Sequence, residues 1–397
     1  MKPLFLTRYT ATSCLGAGLA PLAAALAGTR SGLARCSFED VELDTWIGEV
    51  AGVEDHPFPP ALKAYECRNN RLAHLALSQD DFMAGVAACA SRVGANRLGL
   101  FIGTSTSGIL QTELAYRQRD AASGALPADF NYAGTHNAFS AAQFTRAVLA
   151  IEGPAAVIST ACSSSAKAFG AAKRMIELGL IDAAVVGGVD TLCLTTLYGF
   201  HSLQLTASAP CRPFAADRSG ISIGEAAAFV LLEKAPPPGA AGAIALLGVG
   251  ESNDGYHLSA PHPEGLGARL AMEAALRAAD LDADRVDYIN LHGTGTTSND
   301  SAESAAVTRV FGNSLPCSST KGATGHTLGA AGALEAVICA LALREQIIPG
   351  GCNTTQVDPA LDLAYVTQSR SGSLTHVLSN SFGFGGTNCS LALGRLA

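Results

Sequence analysis

Two stretches of this chain repeat one local pattern, in which small and hydroxyl residues lead straight into a helix-forming run containing Gly-Ala-Ala. The first runs through Ser159-Thr160-Ala161-Cys162-Ser163-Ser164-Ser165 into Lys167–Leu178, which Gly179 closes. The second runs through Lys321-Gly322-Ala323-Thr324-Gly325-His326 into a predicted helix from about Leu328 to Leu343. Each lies in a strand-rich half of similar pattern. This echo restricts the fold more than any other feature: it predicts two related α/β halves, each giving one helix start to a shared site.

Cys162 stands where the apolar run Ala155-Ala156-Val157-Ile158, read as a short buried strand, turns into a helix N-terminus. Unpaired backbone N–H groups and the positive end of the helix dipole favour a thiolate there. Ser163, Ser164 and Ser165 are small, cap-forming residues that leave the sulfur accessible. A cysteine at such a position is either a nucleophile or a packed structural thiol, and this stretch alone leaves both open.

With 397 residues, 48% hydrophobic and 15% charged, the chain can build one large or two closely joined α/β domains around a substantial core. A net charge of −8 with no basic run excludes a general nucleic-acid binder. Eleven cysteines, an odd number without C-x-x-C or metal-ligand spacing, fit a reduced cytoplasmic protein with scattered core thiols and no metal. Thr7, Arg8, Thr10, Thr12 and Ser13 interrupt the N-terminal apolar run, so a strand, a turn and a helix over Leu19–Ala27 are expected there instead of a leader. No uncharged apolar stretch has the make-up of a membrane span.

Buried strands are expected at Leu98–Gly103, Ala183–Val189, Ala226–Leu232, Ile244–Val249 and Val286–Leu291, with helices over Lys63–Leu77 and Leu266–Ala279. The basic face of the Lys63–Leu77 run is either solvated or a docking surface. The prolines at 236–238 mark a seam, placing the halves at residues 1–240 and 241–397.

Cys162, His292, Lys321, His326 and the glycine-rich loop around Phe384 all stand at strand ends or helix starts, where α/β folds gather ligands and catalytic groups. Taken singly, each histidine is more often a satisfied structural residue than a catalytic one, and neither a dinucleotide fingerprint nor a P-loop is present in context.

Taken together, Thr160-Ala161-Cys162-Ser163-Ser164, Cys211-Arg212-Pro213-Phe214, His292-Gly293-Thr294-Gly295-Thr296, Lys321 with Gly325-His326, and Asn380–Asn388 resemble the β-ketoacyl-ACP synthases of the elongating, Cys-His-His type. The resemblance runs from the first strand to the last. It implies the thiolase fold, two pseudo-symmetric α/β/α/β/α halves. It further implies a dimer, either of identical chains or with a homologous ketosynthase or chain-length-factor subunit.

The resemblance also implies the chemistry. Cys162 would take an acyl chain from acyl-ACP as a thioester; malonyl-ACP would follow, and His292 and His326 would promote its decarboxylation. The backbone N–H groups of Cys162 and Phe384 would hold the oxyanion, and Phe384 would gate the acyl pocket. Lys321, paired with Glu335, would support His326. Thr294 and Thr296 match contacts to the phosphopantetheine arm, which the carrier brings with it, so no cofactor of the chain's own is implied. Thr106 and Ile221 replace residues common in housekeeping synthases and would reshape the acyl pocket. The segment before Cys211 lacks a family docking arginine, leaving Lys63, Arg68 and Arg71 for the acidic carrier. The Cys67-Arg68-Asn69-Asn70-Arg71-Leu72-Ala73 run is more similar to synthases of bacterial polyene-lipid clusters. Two other readings remain at this stage: a pocket-shaping partner subunit of another ketosynthase, and an acyltransferase that does not decarboxylate.

Overall fold

The computed structural model describes residues 2–236, 239 and 242–396. The apolar runs become a large mixed sheet. Its main strands are β1 (Leu4–Ser13), β2 (Leu98–Gly103), β3 (Ala155–Ile158), β4 (Ala183–Asp190), β5 (Ala226–Glu233), β6 (Ala243–Asn253), β7 (Tyr288–Asn290), β8 (Pro316–Ser318), β9 (Ala364–Tyr365), β10 (His376–Gly383) and β11 (Thr387–Leu396). Every residue of β2 and β4 is buried, as expected for parallel strands covered on both faces.

The strand order across the sheet is β9-β8-β7-β10-β11-β6-β1-β5-β4-β2-β3. The sequences β3-β2-β4-β5-β1 and β8-β7-β10-β11-β6 are the same arrangement used twice. In each, three parallel strands are followed by two antiparallel ones. The halves join where Leu4 and Phe5 of β1 face Leu246 and Ala245 of β6. The internal echo in the sequence is thus a repeat of topology. The expected boundary at residue 240, and residues 237 and 238 of the proline seam, lie outside the described residues.

Five helices define the layers: α1 (Arg68–Leu77), α2 (Ser164–Glu177), α3 (Leu266–Ala279), α4 (Thr297–Phe311) and α5 (Ala331–Glu345). Helices α2 and α5 pack against each other in the middle, and α5 touches β4 and β5 of one half and β10 and β11 of the other. Helix α1 covers the outer face of the first half, and α3, with α4 against it, that of the second. The α/β/α/β/α layering is built jointly by the two halves. Ala331 through Leu343 are all buried, so α5 has no polar stripe. Its start sits hard against α2: a Cβ on Gly332 would lie 2.5 Å from the Ala166 nitrogen, and Ala333 N–H donates to Ser165 Oγ at 2.8 Å.

The expected helix over Lys63–Leu77 is in fact broken. Residues Pro60–Tyr65 form a 3-10 turn, Cys67 is extended (φ −156°, ψ 161°), and α1 begins at Arg68. Asn70 Nδ2 donates to the Tyr65 carbonyl at 2.8 Å, taking an acceptor that a continuous helix would have used. The helix at Leu19–Ala27 lies where the sequence places it. Among the described residues, no helix is long and apolar enough to cross a membrane.

Candidate active site

The turn between β3 and α2 presents Cys162. Ala161, immediately before it, adopts a left-handed backbone (φ 52°), a conformation costing roughly 1–2 kcal/mol for a residue with a Cβ. Local hydrogen bonds hold it there. Ser164 Oγ donates to the Ala161 carbonyl at 2.5 Å, Ser163 Oγ to the Thr160 carbonyl at 2.9 Å, and Thr160 N–H to Ser164 Oγ at 2.9 Å. The serines that follow Cys162 therefore fix the turn as well as leaving room around the sulfur.

The matching turn before α5 presents His326. Its backbone is clamped by the strand segment Ile223–Gly224: His326 N–H donates to Ser222 O at 2.7 Å, and Gly224 N–H donates to His326 O at 3.0 Å. Leu328, also left-handed (φ 53°), donates its N–H to His326 Nδ1 at 3.3 Å. With Nδ1 an acceptor, the neutral ring carries its proton on Nε2, which lies 3.1 Å from Cys162 Sγ.

His292 enters from the loop after β7. Its ring lies 5.2 Å from that of His326, nearly perpendicular (83°), and 5.9 Å from the Phe382 ring. Two buried carboxylates on the first turns of α4 hold this loop. Glu303 accepts from the N–H groups of His292 (2.8 Å) and Gly293 (2.7 Å), and Asp300 from those of Thr294 (3.1 Å) and Gly295 (3.3 Å). Asn380 Nδ2 adds a third bond to Glu303 at 3.2 Å. Sequence reading missed Asp300 and Glu303. Acidic residues three apart on the helix directly after a glycine-rich strand end were the available signal, since that spacing aims both at one side of the helix.

Lys321 Nζ donates to Glu335 Oε1, and both side chains are almost fully buried. Burial pushes the Cys162 thiol up to about 11, while the Lys321 ammonium and the Phe384 backbone N–H draw it down. Burial, and then the Lys321 charge, keep His292 and His326 well below the ordinary histidine range, so both are neutral at pH 7. Burial also lifts Glu335 to about 7, with Lys321 opposing it. The site thus offers a buried thiol and two uncharged imidazoles under one fixed positive charge.

A cavity of about 60 Å³ opens beside these groups. Phe200, Leu205, Ile221, Thr294, Thr296 and Phe384 help to line it. Thr294 Oγ1 and Thr296 Oγ1 are 3.0 Å apart on one wall. Phe384 leans on Phe200 with ring centroids 5.7 Å apart, and Gly385 after it is left-handed (φ 78°), so the aromatic pair caps the space above Cys162. A volume this small cannot hold an acyl chain of many carbons and a carrier arm together, so the space has to widen for such a substrate.

Three expected site residues are placed otherwise. Thr106 does not line the cavity: its hydroxyl donates to Asp190 Oδ1 at 2.8 Å and accepts from Thr191 N–H at 3.2 Å. Arg68 is turned inward instead of outward to a partner. Its guanidinium is buried and bonded twice to Glu225, at 2.6 and 3.0 Å, and to Glu54 at 2.7 Å, because Glu225 is sealed in the core and needs a counter-charge. Arg71 is likewise spent internally on Glu66 and the His56 carbonyl. Lys63 is exposed.

Cys162, His292 and His326 bring three ligand-type atoms within 4.8 Å of one another, a set that suits a soft divalent cation by chemistry. The Lys321 charge that bears on all three opposes such an ion.

Residues 82–237 match the β-ketoacyl synthase N-terminal domain, and residues 244–355 match the β-ketoacyl synthase C-terminal domain. The chain belongs to the β-ketoacyl synthase family. Nodulation protein E of Rhizobium leguminosarum bv. trifolii is 35% identical to this synthase over 363 residues, 88% of either chain. The 3-oxoacyl-(acyl-carrier-protein) synthase 2 of Rhizobium meliloti is 42% identical over 262 residues, 62% of either chain. Among solved structures, a chain of the complex of ketosynthase ApeO with its chain length factor ApeC, from Xenorhabdus doucetiae, superposes with a TM-score of 0.89. It is 40% identical and covers 99% of the synthase and 98% of that chain. A β-ketoacyl synthase from Burkholderia phymatum superposes at 0.88, is 31% identical and covers all of both chains. The synthase is an acyltransferase of the condensing type, with the thiolase fold of these relatives.

Proposed function

We propose that this synthase extends an acyl chain carried on Cys162 with malonyl-ACP, in a specialised polyene-type pathway, and that it works beside a homologous chain-length-factor subunit. The observation that supports the catalytic reading best is the convergence of His326 Nε2 on Cys162 Sγ at 3.1 Å, with His292 alongside.

In this reading Cys162 Sγ attacks the thioester carbonyl of acyl-ACP. The C–S bond to the carrier's pantetheine breaks, and the thiol proton leaves with the departing pantetheine sulfur. The N–H groups of Cys162 and Phe384 hold the oxyanion. Thr294 and Thr296 contact the pantetheine arm. Malonyl-ACP then loses carbon dioxide, and the electron pair of the broken C–C bond passes into an enolate. Neutral His292 and His326 donate hydrogen bonds to its oxygen, and an uncharged donor suits this because it stabilises the charge that develops without holding an anion beforehand. The enolate carbon attacks the acyl-Cys162 carbonyl, a C–C bond forms, Sγ leaves as the thiolate and takes a proton from solvent to restore the thiol, and 3-oxoacyl-ACP is released. Lys321, held by Glu335, keeps its positive charge beside the site over the cycle. The scheme needs no metal and no cofactor beyond the carrier's own arm.

The proposed partner rests on the likeness to the ApeO and ApeC complex, and to the ishigamide ketosynthase/chain length factor at 26% identity. A cytoplasmic site of action is part of the proposal, and the eleven free cysteines agree with a reducing compartment. The test is condensation of a panel of acyl-ACPs with malonyl-ACP, with and without a co-expressed homologue. Carbon dioxide and 3-oxoacyl-ACP in stoichiometric yield are expected. Consumption of acyl-ACP without carbon dioxide would instead favour simple acyl transfer.

A further inference from the structure

Asp190, the last residue of β4, is completely buried and none of the chemistry above uses it. Its carboxylate accepts five groups: Thr104 Oγ1 at 2.7 Å, Ser105 N–H at 2.8 Å, Thr106 N–H and Thr106 Oγ1 at 2.8 Å each, and Gly329 N–H at 2.5 Å. Four come from the turn after β2 in the first half, and the fifth from the turn before α5 in the second. Each turn continues to a reacting group. Ser105 Oγ donates to the carbonyl of Ala161, the left-handed residue that aims Cys162, at 3.3 Å. Gly329 follows Leu328, whose N–H fixes the His326 tautomer through Nδ1. A Cβ on Gly329 would lie 2.7 Å from Asp190 Oδ2, so the turn approaches the carboxylate as closely as a bare backbone allows.

We propose that Asp190 is a positioning residue for the condensation: a single buried carboxylate that sets the Cys162 turn of one half against the His326 turn of the other. Burial raises its carboxyl above the ordinary aspartate value, and the five donors, with no acceptor among them, pull it back toward the anion. Its charge opposes ionisation of Cys162, which the Lys321 ammonium favours and beside which the uncharged His326 and His292 lie, and of Cys193 on the neighbouring turn. Asp190 and Lys321 therefore act on the thiol with opposite signs, while Asp190 supplies the geometry. This inference rests on Cys162 and His326 acting as described above.

The test compares the wild-type synthase with Asp190→Asn and Ser105→Ala, after thermal melts confirm that each is folded. Three quantities are read: acyl transfer from acyl-ACP to Cys162, carbon dioxide release from malonyl-ACP, and iodoacetamide alkylation of Cys162 against pH. For Asp190→Asn the alkylation profile moves to lower pH, with a rate at pH 8 higher by about threefold or more once the negative charge is gone. Carbon dioxide release falls by about tenfold or more as the His326 turn loosens. Ser105→Ala keeps the charge; it slows acyl transfer about threefold or more and leaves the alkylation profile in place. An unmoved profile in Asp190→Asn with both half-reactions lowered equally would overturn the proposal, because a purely structural residue behaves that way. Should Asp190→Asn not fold, wild-type acyl transfer in Ser105→Ala would overturn it. Failure of the wild-type enzyme itself to take an acyl group would instead refute the catalytic reading on which it rests.

Discussion

His292 and His326 meet almost at right angles, ring centroids 5.2 Å apart, although one hangs from a loop after β7 and the other precedes α5. Both are uncharged at neutral pH, for the same reason: burial beside the Lys321 ammonium. In the proposed mechanism these two neutral imidazoles serve a developing oxyanion, and acyl transfer to sulfur requires neither as a base.

His292→Ala should therefore separate the half-reactions. Carbon dioxide release from malonyl-ACP is expected to fall about 100-fold, and acyl transfer to Cys162 to change by less than about threefold. Equal losses in both, measured by single-turnover assays, would count against the division of labour.

Glu303 gives a pH signature. Burial pushes its carboxyl up to about 7, from an ordinary value of 4.5, while the Gly293 and His292 N–H groups pull it back. A raised carboxyl holds its proton more tightly in the folded state, so its contribution to stability is full below 4.5 and is lost as pH rises through 7. Thermal melts across that window should show a decline that Glu303→Gln makes shallower, Glu335 keeping its own share. An unchanged slope in the variant would contradict the assignment.

Arg68 should behave as a core residue. Its guanidinium is the counter-charge for Glu225, whose side chain is 0% exposed, and breaking a buried pair on one side costs about 3–5 kcal/mol. Arg68→Ala is expected to lower the melting temperature sharply and to leave the salt dependence of carrier use unaltered. A stable variant with weakened carrier binding would reverse this account.

Gly385→Ala probes the loop that carries Phe384. Nothing lies within 4 Å of the added Cβ, so the substitution acts through the backbone alone, at φ 78°. A penalty of about 1 kcal/mol on the closed loop, the state Phe384 has to leave, predicts acyl transfer faster by a factor of up to about five, with little change in melting temperature. Unaltered acyl transfer would show that this loop conformation does not limit entry.

The parts of the site that sequence made legible are those with a local signature. Cys162 and His326 each stand at a strand or turn leading into a small-residue helix, and His292 lies in a glycine-rich strand end. Local pattern alone suffices to place them at the ends of elements. Asp190 has no such signature, because its partners are groups of turns that only the tertiary fold brings near, whereas Asp300 and Glu303 carry only the weak signal of their spacing on α4. Arg68 was misplaced for a related reason. A basic residue on an amphipathic run looks solvated until Glu225, far along the chain, is found buried against it. Thr106 faces Asp190 instead of the cavity, a direction that the order of residues in a turn does not fix. The topological repeat was legible as an echo of two helix starts, while the joint layering around α2 and α5 depended on Gly332 and Ala166 touching.

The central claim is that Cys162 forms a thioester. The most direct measurement is intact-protein mass spectrometry after incubation with acyl-ACPs of several chain lengths, with Cys162→Ala alongside. The account predicts one added acyl mass on the wild-type chain, mapped to the Cys162 peptide, and none on the variant. No adduct from any acyl-ACP, or an adduct that survives Cys162→Ala, would contradict it.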